Sequence, residues 1–275
     1  MKFSSKKITR SLLKQLICII IGLIICFPIL YAVSVSFMSG RDLFSRDIHI
    51  FPSDLYLGNY STVFKRINIV QYMINSFVVA GICSFSRIFI GSMAAFALEF
   101  YEFRFKKAIY ILILSTALIP QEIIFVQNYV TLSKLQLLNT YMGICSVYLV
   151  NALSIFILCQ TFSTYPKSIK DASNLDGCGS AKFFFKILLP TNKVTLIALF
   201  FTSFVTLWNV YLWPIVVTNL EELRTMQVAI TILKGRDSPD FGPVMAGAVI
   251  SLLPAILLFL LSRILSKNNR INFEE

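Results

Sequence analysis

Arg87 and Glu122 each stand inside a long apolar run, where a charge costs several kcal/mol unless protein or water receives it. Such residues relay protons, contact a solute, or clamp helices together. Trp208-Asn209 adds an indole beside an amide, a pairing that suits a polyol through one apolar face and adjacent donors and acceptors. It equally suits an aromatic anchor at a membrane boundary, as Trp213 does. Other chemistries lack their parts. His49 is the only histidine, so histidine metal clusters and catalytic triads are excluded. The six cysteines contain no C-x-x-C pair, and five lie in apolar runs, as small apolar side chains do. Gly177-Cys178-Gly179 has neither the lysine nor the strand of a phosphate-binding loop. No catalytic residue, metal ligand or bound cofactor is expected.

The elements that must position these residues are membrane spans. The chain has 275 residues, is 56% hydrophobic and 14% charged, and has a mean hydropathy of +0.74. That is too apolar for an ordinary soluble domain. A net charge of +11 invites a nucleic-acid reading. The basic residues instead sit in short loops beside apolar runs, which is the positive-inside pattern, and nucleic acid is rejected as a partner.

A hydrocarbon core takes about 20 helical residues. Spans are accordingly expected at about Leu16–Val35, Val70–Leu98, Ala108–Val126, Met142–Phe162, Val194–Val217 and Pro243–Leu265. Ala32-Val33-Ser34 resembles a signal-cleavage site, but the run is long for one and further spans follow, so an uncleaved anchor is favoured. Ser39–Ile69, Asn128–Tyr141 and Thr218–Gly242 are external loops in this scheme, and Pro120 and Pro254 are kinks. Sixteen Lys and Arg fall in the inside segments (Lys2 and Arg270 among them) and eight outside (Arg236 among them), which places both termini in the cytoplasm. Residues 1–69 form an N-terminal segment, first span and external loop, 70–265 the transmembrane core, and 266–275 a polar tail. No internal repeat of the secondary-transporter kind is present.

Within the second span, Ser76, Ala80, Cys83, Ser84, Gly91 and Ala94 fall on the Arg87 side of the helix. This stripe of small residues admits a close neighbour. Arg87 and Glu122 differ in depth by about 5 Å at 1.5 Å per residue, so they are expected to pair, either as a packing clamp or as a functional contact.

The stretch Tyr165–Pro190 interrupts this pattern with helix grammar. Ser163 or Thr164 is a candidate cap and Pro166 suits a first turn. Asp171, Ala172 and Leu175 with nearby lysines read as a short amphipathic helix. Gly177 and Gly179 break it, Phe183–Leu189 forms a second apolar piece, and Pro190 stops that piece.

Its spacing resembles the signature of ABC-importer permeases: Asp171-Ala172-Ser173, three residues, Gly177, nine residues, then Ile187-Leu188-Leu189-Pro190. Asp171 replaces the usual glutamate and Ser173 the second alanine. Asn59-Tyr60, Asn75-Ser76, Met93–Leu98, Ile119-Pro120-Gln121, Leu138-Asn139-Thr140 and Trp208-Asn209 resemble elements of the maltose-type, carbohydrate branch. The tail departs from that pattern. The resemblance implies an all-α integral membrane protein of six transmembrane helices, with a cytoplasmic coupling helix between spans four and five. It implies ATPase coupling through Asp171, Ala172, Ser173, Gly177, Ile187, Leu189 and Pro190, and a substrate path near Arg87, Glu122, Trp208 and Asn209. The implied partners are a second permease subunit in a heterodimer, two ATP-binding subunits that use the ATP, an extracytoplasmic solute-binding protein and the bilayer of a bacterial inner membrane. Two alternatives stay open: an ion-coupled carrier relaying through Arg87 and Glu122, and an importer for glycerol phosphate or amino acids.

Overall fold

Apolar runs with few interior breakers satisfy their backbone within the segment only as helices. The computed structural model describes residues 3–47, 49–234 and 241–271, and no strand occurs among them. Lys2, Arg236 and the tail end 272–275 lie outside the described residues.

In chain order the helices are α1 (Phe3–Ser36), α2 (Gly40–Leu43), α3 (Gly58–Arg66), α4 (Ile69–Phe100), α5 (Lys106–Thr116) and α6 (Gln121–Lys134). Then come α7 (Tyr141–Cys145) with a 3-10 turn at Ser146–Tyr148, α8 (Ala152–Ser163), α9 (Lys167–Leu175) and α10 (Ser180–Phe183). A π-helical turn at Phe184–Leu188 leads into α11 (Leu189–Thr191) and α12 (Lys193–Trp208). The remainder is α13 (Leu212–Val217), a 3-10 turn at Glu221–Leu223, α14 (Met226–Leu233) and α15 (Phe241–Ile271).

Three helical segments are long and apolar enough to cross a membrane singly: Leu13–Ser36, Ile69–Phe100 and Phe241–Leu261. Three further segments pass only as bent pairs. α5 and α6 meet at 94°, Tyr141–Tyr148 and α8 at 49°, and Ser180–Thr191 and α12 at 76°. The first two breaks interrupt the expected third and fourth spans, while the break at Asn192 precedes the fifth. Pro120 does more than kink: its extended backbone (ψ 134°) starts a new helix. The fifth expected span ends at Trp208, with α13 beginning after a gap at Asn209–Tyr211. α15, by contrast, continues through Pro254. All three expected loops carry helix as well: Ser39–Ile69 holds α2 and α3, Asn128–Lys134 completes α6, and Thr218–Gly242 holds the Glu221–Leu223 turn and α14.

The chain divides into two compact units: residues 1–69 with 229–253, and residues 70–228 with 254–275. In the first, buried Asn59 closes the end of α1, its Nδ2 donating to the Ser36 and Met38 carbonyls at 2.9 and 2.8 Å. Tyr60 shares a 2.8 Å hydroxyl contact with Ser36. A Cβ on Gly242 would stand 2.5 Å from the Asn59 amide oxygen, so glycine is required there.

The second unit has two cores. One joins Val79, Ala80 and Cys83 of α4 to Ile144, Tyr148, Phe204, Trp208 and Trp213. The other joins Ala95 and Leu98 to Leu158, Phe162, Phe183, Phe184 and Leu188. The small-residue stripe of α4 faces inward as expected: Ser76, Ala80, Cys83, Ser84 and Gly91 are buried. At Gly91 a Cβ would come within 3.1 Å of Leu158, the tight α4–α8 approach that the stripe permits.

Candidate functional site

α9 begins at Pro166, which is its N-cap and not a first-turn residue. Neither Ser163 nor Thr164 caps it. Their hydroxyls donate backwards to the Gln160 and Thr161 carbonyls, closing α8. The other end is a Schellman turn: Cys178 N–H donates to the Ser173 carbonyl at 2.8 Å and Gly177 N–H to the Asn174 carbonyl at 3.1 Å. Gly177 is left-handed there, with φ +71°, which is why a glycine occupies it.

Gly177→Ala meets no atom within 4 Å, so its cost is the conformational one of about 1–2 kcal/mol. The expected result is roughly tenfold faster amide exchange at Gly177 and Cys178, with Gly177→Asn closer to wild type. Hydrogen exchange on the purified protein checks it.

The two faces of α9 differ. Ser173 is buried and its hydroxyl donates to the Lys170 carbonyl at 2.8 Å. Ser168, Asp171, Ala172 and Leu175, spaced at i, i+3, i+4 and i+7, form an exposed stripe, with Leu175 at 90% exposure and Ile169 and Asn174 exposed on its flanks. Beyond the elbow, Phe183, Phe184 and Leu188 anchor the stretch in the second core, while Ile187 and Leu189 are half-buried and Pro190 is exposed. Pro190 does not end the run, which breaks instead at Asn192. The π turn lies just before this proline, whose nitrogen cannot donate to the Lys186 carbonyl four residues back.

The buried polar residues fall into a different arrangement from the expected pair. Arg87, 7% exposed, donates from Nε to the Tyr148 carbonyl at 2.7 Å and lies 5.9 Å from that tyrosine's ring centre. Glu122 is exposed in the first turn of α6, and the Arg87–Glu122 contact is not made. The reason is the two breaks. Tyr148 ends a helical segment, where carbonyls lose their i+4 amide partners, and the arginine fills that vacancy. Pro120 starts a helix, whose positive end receives Glu122.

A cavity of about 230 Å³ opens where these interruptions meet, lined by Gln121, Glu122, Phe125, Tyr148, Asn209–Leu212 and Trp213. The start of α6, the end of the turn at Tyr148 and the stretch after α12 contribute to it. Asn209 is held by its own Nδ2 bond to the Val205 carbonyl at 2.8 Å and by Gln227, which donates to its Oδ1 at 3.1 Å. Trp213 donates from Nε1 to the Gly143 carbonyl. Trp208 lines no part of this cavity. It is 2% exposed and packs against Phe77 and Phe204. The cavity therefore gathers Glu122 and Asn209, receives Arg87 only through Tyr148, and leaves Trp208 in the core.

Asn75-Ser76, noticed in the sequence without a role, is a clamp. Asn75 Nδ2 donates to the Glu222 and Arg224 carbonyls at 2.7 and 2.8 Å, while the Tyr141 hydroxyl donates to its Oδ1 at 2.6 Å. The Met226 N–H donates to Ser76 Oγ at 2.8 Å. Loop Glu221–Met226 is thereby pinned to α4.

Residues 55–271 match the family described as the binding-protein-dependent transport system inner membrane component. The chain belongs to that family. This permease is 30% identical over 260 residues to the sn-glycerol-3-phosphate transport system permease protein UgpE of Brucella abortus, spanning 91% of this chain and 92% of that one. It is 28% identical over 261 residues to the arabinooligosaccharides transport system permease protein AraQ of Halalkalibacterium halodurans, spanning 93% and 94%. Its fold is also that of a chain in the crystal structure of a bacterial ABC transporter involved in import of the acidic polysaccharide alginate. The TM-score there is 0.79 at 22% identity, with 96% and 98% of the two chains covered. The permease is thus an inner-membrane, multi-helix component of a binding-protein-dependent ABC importer, a transport subunit by family.

Proposed function

We propose that this permease carries neutral sugars or oligosaccharides through a heterodimer with a second permease subunit. Two ATP-binding subunits supply the energy, and an extracytoplasmic solute-binding protein delivers the cargo. In this reading the three straight spans, the two bent pairs at Lys106–Lys134 and Tyr141–Ser163, and α12 make six crossings, with 70–265 as the transmembrane core and both termini cytoplasmic. The Tyr165–Pro190 stretch is the coupling element: Asp171 and Ala172 meet the ATPase, and Ser173 and Gly177 shape the helix that presents them. Ile187, Leu189 and Pro190 complete its anchor. ATP is used by the partner ATPase, and this chain holds no cofactor or metal.

The observation that carries the proposal is the split character of α9. On its inner side Ser173 is buried and Lys170 half-buried, while an apolar leucine stands 90% exposed at the end of an acid-bearing stripe. A cleft on a partner would cover that leucine and receive the acid beside it. Purification in mild detergent tests it: an ABC ATPase and a sister permease should accompany the chain. Recovery of the chain alone, with uptake that survives deletion of any ATPase, overturns the proposal.

For the cargo, the cavity's charge is the guide. Its lining has one carboxylate, several aromatic faces and no cation, which favours hydroxyl donors over a phosphate ester or uronate. Glu122→Gln is expected to raise the KM for sugar uptake about tenfold, equivalent to roughly 1.4 kcal/mol, at an unchanged level of protein in the membrane. The relay between Arg87 and Glu122 has lost its geometric basis, since the two do not meet.

A further inference from the structure

α4 and α9 are joined by a contact that the signature residues do not include. α4 ends at Phe100, and the carbonyls of a helix's last turn carry its negative end and lack amide partners. Lys170 Nζ donates to the Phe100 carbonyl at 2.9 Å. The same ammonium lies 4.6 Å from the ring centre of Tyr101, 5.3 Å from that of Phe100 and 5.7 Å from that of Phe96. Three rings and a helix-end carbonyl thus surround one cation, each within cation–π or hydrogen-bond range. The rings are braced in turn: Phe96 stands edge-on to Tyr101 at 5.5 Å, and Phe100 edge-on to Phe183 at 5.6 Å.

We infer that Lys170 is a positioning residue that latches α9 to the end of α4, so that a push on the exposed stripe of α9 is passed to α4 as a rigid rod. The neighbouring residues that face the partner, Asp171 and Ala172, leave this task to Lys170 because it points the other way, next to buried Ser173. α4 carries the displacement to Arg87, 13 residues or about 20 Å along the helix, and from there through the Tyr148 carbonyl to the cavity wall. The latch's mechanical use rests on the proposed ATPase docking, whereas its existence does not.

Two measurements on the full transporter in nanodiscs separate those levels. In Lys170→Met, which keeps the apolar stem and removes the cation, amide exchange across Ser168–Leu175 is expected to speed up about tenfold, and Lys170→Arg to restore protection. Tyr101→Leu, which removes the nearest ring but leaves Lys170 in place, should give a smaller acceleration and serves if the methionine variant is not recovered. In the same particles, solute imported per ATP hydrolysed is expected to fall at least fivefold in Lys170→Met and return in Lys170→Arg. A merely structural lysine would not move this ratio. Unchanged exchange in both Lys170→Met and Tyr101→Leu overturns the latch. Faster exchange with an unchanged import ratio overturns its role in transmission. Failure of an ATPase to accompany the wild-type chain overturns the docking proposal and leaves the exchange result to stand alone.

Discussion

Arg87→Met is expected to lower the level of folded permease severalfold and its thermal midpoint by about 5 °C. The methionine fills the space but leaves the Tyr148 carbonyl at the α7–α8 break without its donor. An orphaned buried carbonyl costs about 1–3 kcal/mol, and for a chain of this size each kcal/mol moves the midpoint by about 2–4 °C. Loss of a desolvated charge recovers part of that cost, so Arg87→Lys, which retains a donor, should lie between. The informative control is Glu122→Gln. If Arg87 and Glu122 formed a pair, the two single variants would fail alike and the double variant would be strongly non-additive. Because they occupy separate helix ends, the double variant is expected to match the sum within about 0.5 kcal/mol. Fluorescence-detected unfolding in detergent reads all four proteins, and a coupling well above that margin would restore the pair.

Leu175→Asp should have the opposite profile: no loss of folded protein, and at least a tenfold loss of co-purified ATPase. At 90% exposure this leucine makes almost no contribution to its own chain's packing. A charge there is neutral for folding, yet a buried apolar anchor at an interface is worth about 2 kcal/mol or more. Pull-down of the ATPase at matched permease concentration checks this. Wild-type recovery of the ATPase together with wild-type uptake would mean that the docking face lies elsewhere.

The readable and unreadable parts of this chain divide by range. Apolar length places α1, α4 and α15 well, and 100° steps from Arg87 pick out the buried stripe of α4, since both signals are local to one helix. The Asp171–Pro190 spacing similarly reveals a helix, an elbow and a second apolar piece. What local pattern misses is the breaks. Pro120 announces one, but Asn151 and Asn209 are weak signals inside apolar runs. Asn151 ends up as an N-cap, accepting from the Ser154 N–H at 2.9 Å, and Asn209 as a C-cap. A depth argument that assumed straight spans then paired Arg87 with the wrong helix. Lys170 was hidden for a similar reason: its partner carbonyl is 70 residues away, so nothing in its immediate neighbourhood distinguishes it from the other lysines of that stretch.

The length of α4 has one more implication. Its 32 residues make a rod of about 48 Å, whereas the hydrocarbon layer is about 30 Å thick, so roughly 18 Å must overhang the oil or be absorbed by tilt. Shared evenly, the overhang is about six residues at each extremity. The Phe100 terminus would then be wetted and Asn75 would sit at the waterline, while Arg87 stays submerged. At the Phe100 tip water can compete for the Lys170 bond, which the three rings around the ammonium counter, while Asn75, 0% exposed, keeps its bonds inside the protein. The submerged arginine has no substitute solvent at all, so its grip on the Tyr148 carbonyl has to stay closed throughout.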